Sequence, residues 1–204
     1  MTDQADVHEL PENLPIPEDD GAADHLTGMR LLSTPLASTA GNLVDLSALE
    51  DRTIVYCYPM TKPPEKNLPQ GWGEIPGARG CTPQSCTFRD HFAELQALHT
   101  RVFGLSTQGT EYQQEAAKRL HLPFELLSDR GLRLAYESGL PTFEVEGMVL
   151  LKRLTFIANS GLIETVIYPV FPPNKNAEEV VGWLSQNRSR QDPLFERQKD
   201  GLFD

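Results

Sequence analysis

Cysteine is scarce in this chain: three residues among 204, at positions 57, 81 and 86. Three are too few for a disulfide scaffold, so the fold must rest on an apolar core. In a reducing compartment a close pair of cysteines is more often catalytic or metal-binding than structural. Long apolar runs are missing as well. Nothing approaches the roughly 18 residues of a membrane span, so no membrane association is expected. Lys and Arg are absent from residues 1–25, which instead hold eight acids: Asp3, Asp6, Glu9, Glu12, Glu18, Asp19, Asp20 and Asp24. That stretch has neither the basic start nor the apolar core of a secretory signal, and a cytoplasmic location is the expectation. The net charge of -11 speaks against nucleic acid as a partner, because phosphate binding draws on Lys and Arg. The acidity is concentrated at the start of the chain, and the remainder is close to balanced.

What is present is enough for one domain. The hydrophobic content of 39% fits a globular core. Residues 1–25, acidic and interrupted by Pro11, Pro15 and Pro17, are expected to be a disordered tail. A single domain is expected over 26–187, with a polar peripheral tail over 188–204, and no internal repeat is found. Segment 29–46 reads as a small hairpin. Thr53–Tyr58, β-branched and aromatic, reads as a buried strand. A loop over 59–80 follows, punctuated by Pro59, Pro63, Pro64, Pro69 and Pro76. A loop of that length inside a domain is usually functional or disordered. A helix is predicted to start near Thr82–Pro83, capped by Thr82 or Cys81, with Phe88, Phe92 and Leu95 on one apolar stripe. Arg101–Ser106 and Phe124–Leu127 read as strands, and 110–120 and 130–138 as helices. Met148–Ala158 and Leu162–Tyr168 read as a hairpin turning at Asn159, Ser160 and Gly161. A last helix is predicted from Asn176 to about Ser185, with Glu179 completing a capping box. The order predicts an α/β sheet with helices on both faces, parallel early and antiparallel late.

The chemistry concentrates at Cys81 and Cys86. A nucleophilic cysteine needs surroundings that favour its anion. Cys81 sits at the predicted helix start, where unpaired N–H groups and the helix dipole supply them. Arg79 and Arg89 are close in sequence. Arg153 lies inside an apolar run, where an arginine either faces solvent or serves a site. Residues five apart on an ideal helix have Cα atoms roughly 8–9 Å apart, and a disulfide needs less than about 7 Å. Cys81 and Cys86 therefore bond only if the first turns unwind, which makes them a possible switch. Cys57, in mid-strand, reads as core packing.

The run Cys81-Thr82-Pro83-Gln84-Ser85-Cys86-Thr87-Phe88-Arg89-Asp90 resembles the active-site helix of peroxiredoxins of the bacterioferritin-comigratory, or Q, type. Val102-Phe103-Gly104-Leu105-Ser106-Thr107 resembles that family's second core strand. Phe124-Glu125-Leu126-Leu127-Ser128-Asp129 and Lys152-Arg153-Leu154-Thr155-Phe156-Ile157 resemble two further segments of it, in the same order. The resemblance implies a thioredoxin-like α/β fold, with a central mixed sheet and helices on both faces. It implies a thiol-dependent peroxidase with Cys81 as peroxidatic cysteine, Cys86 as resolving cysteine and Arg153 as active-site arginine. It also implies a hydroperoxide substrate, a thioredoxin or similar dithiol as reductant, and no metal or organic cofactor. A monomer or homodimer is expected. The pattern P-x-x-x-T-x-x-C is not kept: Ala78 and Glu74 stand where its Thr and Pro would be. The missing hydroxyl is either supplied by Thr61 through the loop, replaced by Thr82, or absent. Pro141 resembles the cis-proline of thioredoxins. Two other functions use the same residues: a dithiol oxidoreductase without peroxidase activity, and a metal-binding or redox-sensing module with Cys81, Cys86 and a histidine.

Overall fold

Strand β3 (Arg52–Cys57) organises the sheet. Ile54 and Tyr56, continued by Tyr58, point to one face, and Val55 and Cys57 to the other; all five are buried. A strand buried on both faces must lie inside a three-layer structure. It pairs in parallel with β4 (Thr100–Ser106) and antiparallel with β8 (Leu154–Asn159). Beyond β4 lie β5 (Glu125–Ser128), parallel, and the hairpin of β1 (Pro35–Ser38) and β2 (Leu43–Asp45). Beyond β8 lies β9 (Leu162–Ile167). The order across the seven-stranded sheet is β2-β1-β5-β4-β3-β8-β9. This is the computed structural model of the chain, and it describes residue 10 and residues 13–187. The C-terminal tail expected over 188–204 lies outside the described residues.

Each face has its own core. Helices α1 (Cys81–Asp90), α2 (Phe92–Ala97), α3 (Thr110–Arg119) and α5 (Asn176–Gln186) cover one. They place Phe88, Leu95, Ala116, Val180 and Leu184 against Ile54, Tyr56 and Tyr58. Helix α4 (Arg133–Ser138), with Leu26 and Leu31 from the N-terminal stretch, covers Val55 and Cys57 on the other. The mixed α/β sheet with helices on both faces is the expected one.

Several local expectations are corrected. The apolar run Met148–Ala158 is not one strand. It breaks at Lys152 and Arg153, giving β7 (Met148–Leu151), which pairs with β6 (Thr142–Val145) in a separate two-stranded sheet, and then β8. The Phe88–Leu95 stripe is real, but it crosses a break at His91 between α1 and α2. The cap of α1 is Gly80, not Thr82 or Cys81. Helix α5 starts at Asn176, with Lys175 at its cap position and no side-chain cap, and the Asn176 side chain is engaged elsewhere. The peptide before Pro141 is trans; among the described residues the cis bonds are Tyr168–Pro169 and Phe171–Pro172. Toward the N-terminus, Ala23 is buried, and Asp20 meets Lys152 Nζ at 2.5 Å and accepts from the Tyr168 hydroxyl at 2.7 Å.

The sheet is tight where β4 passes between β3 and β5. Gly104 lies beside Tyr56 and Leu126, and a Cβ added there would come within 2.5 Å of Leu126 Cδ2 and 2.7 Å of the Tyr56 hydroxyl. Overpacking of this kind costs about 1–3 kcal/mol. Gly104→Ala is therefore expected to lower the denaturant midpoint by that amount with an unchanged slope. A midpoint equal to wild type would mean that the core yields around the methyl.

Candidate active site

Gly80 has φ +99°, the left-handed region open to glycine, and a Cβ there would run into the Pro173 side chain. Its carbonyl accepts from Gln84 N at 3.0 Å, so α1 opens on Cys81 itself. The Cys81 sulfur thus sits at the helix N-terminus, where the backbone N–H groups are unpaired and favour an anion. It is almost buried, at 6% exposure.

Arg153 reaches this point because the chain leaves one sheet and enters another there. Its guanidinium is buried and donates to the carbonyls of the loop ahead of the cysteine. Nε bonds Gly77 O at 3.2 Å, and Nη2 bonds Ala78 O at 3.3 Å and Arg79 O at 3.1 Å. Nη2 also lies 3.1 Å from Cys81 Sγ, and Nη1 donates to Gln84 Oε1. One side chain therefore fixes the loop, holds the start of the helix and places its positive charge beside the sulfur. A buried arginine is tolerable only with its donors satisfied, and here each nitrogen has a partner.

Cys86 lies on the same helix and is fully buried. Burial pushes its thiol up, opposed by the Arg89 charge, with smaller contributions from Asp90, which raises it, and Arg119, which lowers it. Helix α1 is held on β3 around it. The Tyr56 hydroxyl donates to Ser85 Oγ at 3.1 Å, and the Tyr56 ring stacks on Phe88 at 4.5 Å. All three cysteines are free thiols. Cys57 belongs to the core on the opposite face of the sheet, with its thiol driven well up by burial and by the Asp129 charge.

The hydroxyl question resolves in part. Ala78 is buried against Trp72 and Leu150 in a third small core, to which Ile75 and Phe143 also belong. The 59–80 loop is thus ordered around Trp72. Thr61 is buried and committed to Gln108, whose Oε1 accepts from Thr61 N at 2.8 Å and whose Nε2 donates to Thr61 O at 2.7 Å. No bond links it to Cys81 among the described residues. Thr82 is half-buried in the first turn, directly after Cys81. The sequence reading missed Gln84, Tyr56 and Gly80. Their signals were faint: a glutamine on an otherwise apolar side of the helix, and a tyrosine inside a strand. Among the described residues, no three His, Cys, Asp or Glu side chains converge as a metal site would require, and no helix is long and apolar enough to cross a membrane.

Comparison with known proteins agrees with this geometry. The family model described as Redoxin matches residues 18–181. A chloroplastic peroxiredoxin Q of Sedum lineare is 29% identical over 157 residues, 74% of this chain and 76% of that protein. One from Populus jackii is 27% identical over 74% of this chain, but the match spans only 64% of the relative's length. Among solved structures, peroxidoxin BcpB of Mycobacterium tuberculosis superimposes with a TM-score of 0.65 at 24% identity, over 80% of this chain and 98% of that one. A PrxQ mutant of Xylella fastidiosa gives 0.63 at 17% identity, over 89% and 100%. The chain belongs to the Redoxin family and is a protein of the peroxiredoxin Q, or bacterioferritin-comigratory, type.

Proposed function

We propose that this chain is a thiol-dependent peroxidase that reduces hydrogen peroxide and organic hydroperoxides with Cys81. The observation that carries the reading is the buried Arg153 Nη2 at 3.1 Å from a cysteine sulfur that opens a helix. The Cys81 thiolate attacks the terminal oxygen of the hydroperoxide. The O–O bond breaks, the sulfur becomes a sulfenic acid, and the departing oxygen takes a proton to leave as an alcohol or water. Arg153 stabilises the thiolate and the charge that develops on the leaving oxygen. The Thr82 hydroxyl is the nearest side chain in sequence to assist at the peroxide.

In the second step the Cys86 thiol condenses with the sulfenic acid, forming the disulfide and releasing water. A thioredoxin or a similar dithiol then reduces the disulfide by exchange and is itself oxidised. Cys86 is kept protonated by burial in the folded helix. Unwinding the first turns of α1 both brings it within bonding distance and returns its sulfur to water, where it ionises more readily. The catalytic unit corresponds to residues 26–187, and three unpaired thiols are in keeping with a reducing, cytoplasmic setting. Ala78, buried where the family pattern has a hydroxyl, favours one alternative: a dithiol oxidoreductase without peroxide turnover.

Intact mass after one equivalent of peroxide separates these readings. Wild type should lose two hydrogens as Cys81 and Cys86 pair. Cys86→Ser should gain one oxygen, and Cys81→Ser should not change, because serine is no comparable nucleophile at neutral pH. A wild-type mass unaltered by peroxide would favour the oxidoreductase. Charge-assisted hydrogen bonds contribute about 1.5–3 kcal/mol, so Arg153→Leu should slow sulfenic acid formation roughly 10- to 100-fold in rapid mixing. An unchanged rate would remove Arg153 from the mechanism. Amide exchange on the reduced and oxidised forms should show lost protection confined to residues 82–88. Burying Phe88 is worth about 1.5–3 kcal/mol and halts the melting there. Equal protection in both forms would place the resolving thiol elsewhere.

A further inference from the structure

Arg153 does not reach Cys81 unaided. Arginine has donors and no acceptor, so the Gln84 amide must turn its oxygen toward Arg153. Its nitrogen then faces away, and Gln84 Nε2 donates to Asn176 Oδ1 at 2.9 Å. The same Asn176 oxygen accepts from the Thr155 hydroxyl at 2.7 Å. Helix α1, strand β8 and helix α5 therefore meet at one oxygen atom. Gln84, Thr155 and Asn176 are all buried, at 0%, 0% and 1% exposure. Polar groups chained in so dry a place hold one another rigidly.

The cost of this arrangement is visible. Asn176 Nδ2 is buried with no hydrogen-bond partner. An orphaned amide donor is unfavourable, and a leucine of similar volume would spare it. Asn176 is also the first residue of α5, yet its side chain does not cap that helix. The side chain is thus present for its oxygen, and the oxygen orients Gln84.

On the reading that Cys81 is the peroxidatic cysteine, we infer that Asn176 is a positioning residue for the peroxidase reaction. Through Gln84 it holds the Arg153 guanidinium against the Cys81 sulfur while α1 is folded. Gln84 lies within the 82–88 segment that must unwind before Cys86 can attack. The Asn176–Gln84 bond has to break at that moment, which loosens Arg153 once its task is done. Asn176 therefore favours attack on peroxide and opposes disulfide formation, although it touches neither sulfur.

The test is a double-mutant cycle of Asn176→Leu and Gln84→Leu, followed by rapid-quench mass analysis with hydrogen peroxide and, separately, with iodoacetamide as a probe of Cys81 alone. Asn176→Leu is expected to slow both reactions of Cys81 about tenfold and to speed disulfide formation. In the Gln84→Leu background the same change should alter Cys81 reactivity by less than about twofold, because coupled residues are not additive. An unaltered rate in Asn176→Leu, or losses that multiply in the double variant, would overturn the inference. Should Asn176→Leu fail to fold, Thr155→Val removes the second bond to the same oxygen and should slow Cys81 in the same direction; no change there would also overturn it. A wild type that ignores peroxide would refute the peroxidase reading, while the iodoacetamide cycle would still decide the role of Asn176.

Discussion

The structure around Cys81 depends on one buried cation. Three backbone carbonyls of the loop before Cys81, one side-chain amide of the helix after it and the sulfur itself all take their hydrogen-bond donors from Arg153. A guanidinium is suited to this because its donors are planar and fixed in a fork. An ammonium could satisfy only part of the set. The loop geometry, the position of the helix start and the charge at the sulfur are therefore not separate features. They share one donor group, and the fold must bring that group into the core. It does so by breaking a strand: the chain leaves the β6–β7 pair at Lys152 and joins the main sheet at Leu154, so that Arg153 falls in the gap.

Helix α1 is held on the sheet by contacts of two kinds. Stacking of Tyr56 on Phe88, the Tyr56–Ser85 hydrogen bond and the Gln84–Asn176 bond keep α1 on β3 and α5. These contacts divide at Phe88. Those N-terminal to it include the hydrogen bonds of Gln84 and Ser85 beside the buried Pro83 and Cys86, whereas Phe88 and Leu95 are large, wholly buried apolar side chains. The polar contacts thus lie toward the N-terminal end of α1 and the large apolar anchors toward α2. The sheet itself separates Cys57 from the pair, since alternation along β3 puts Cys57 on the opposite face from Tyr56. Strand geometry alone thus separates the third thiol from the helix that carries Cys81 and Cys86.

The long insertion between β3 and α1 is a small structure of its own. Trp72, Ala78 and Leu150 form its centre, with Ile75 and Phe143 packed around them. The residue three before the cysteine points its methyl into that centre. In this chain the position works for the packing of the loop. Thr61, at the other end of the insertion, is tied to Gln108 in the same way.

Sequence by itself determined the elements whose signals are local. The β-branched and aromatic run Thr53–Tyr58 announced a buried strand, the run from Cys81 to Asp90 carried both cysteines on one helix, and their five-residue spacing is too wide for a disulfide on an ideal helix. What sequence did not determine was everything set by contacts distant in the chain. Arg153 looked like a residue inside a continuous strand, because apolar runs carry no mark of a change of sheet. Thr82 looked like a helix cap, because capping propensity is blind to the left-handed Gly80 lodged against Pro173. Asn176 and Glu179 looked like a capping box, whereas the Asn176 oxygen is taken by Gln84 and Thr155, 92 and 21 residues away. The physical reason is common to all three. Propensity and periodicity report what a backbone segment prefers alone, but a buried polar side chain goes wherever the finished core offers it a partner. Only the tertiary structure decides where that is.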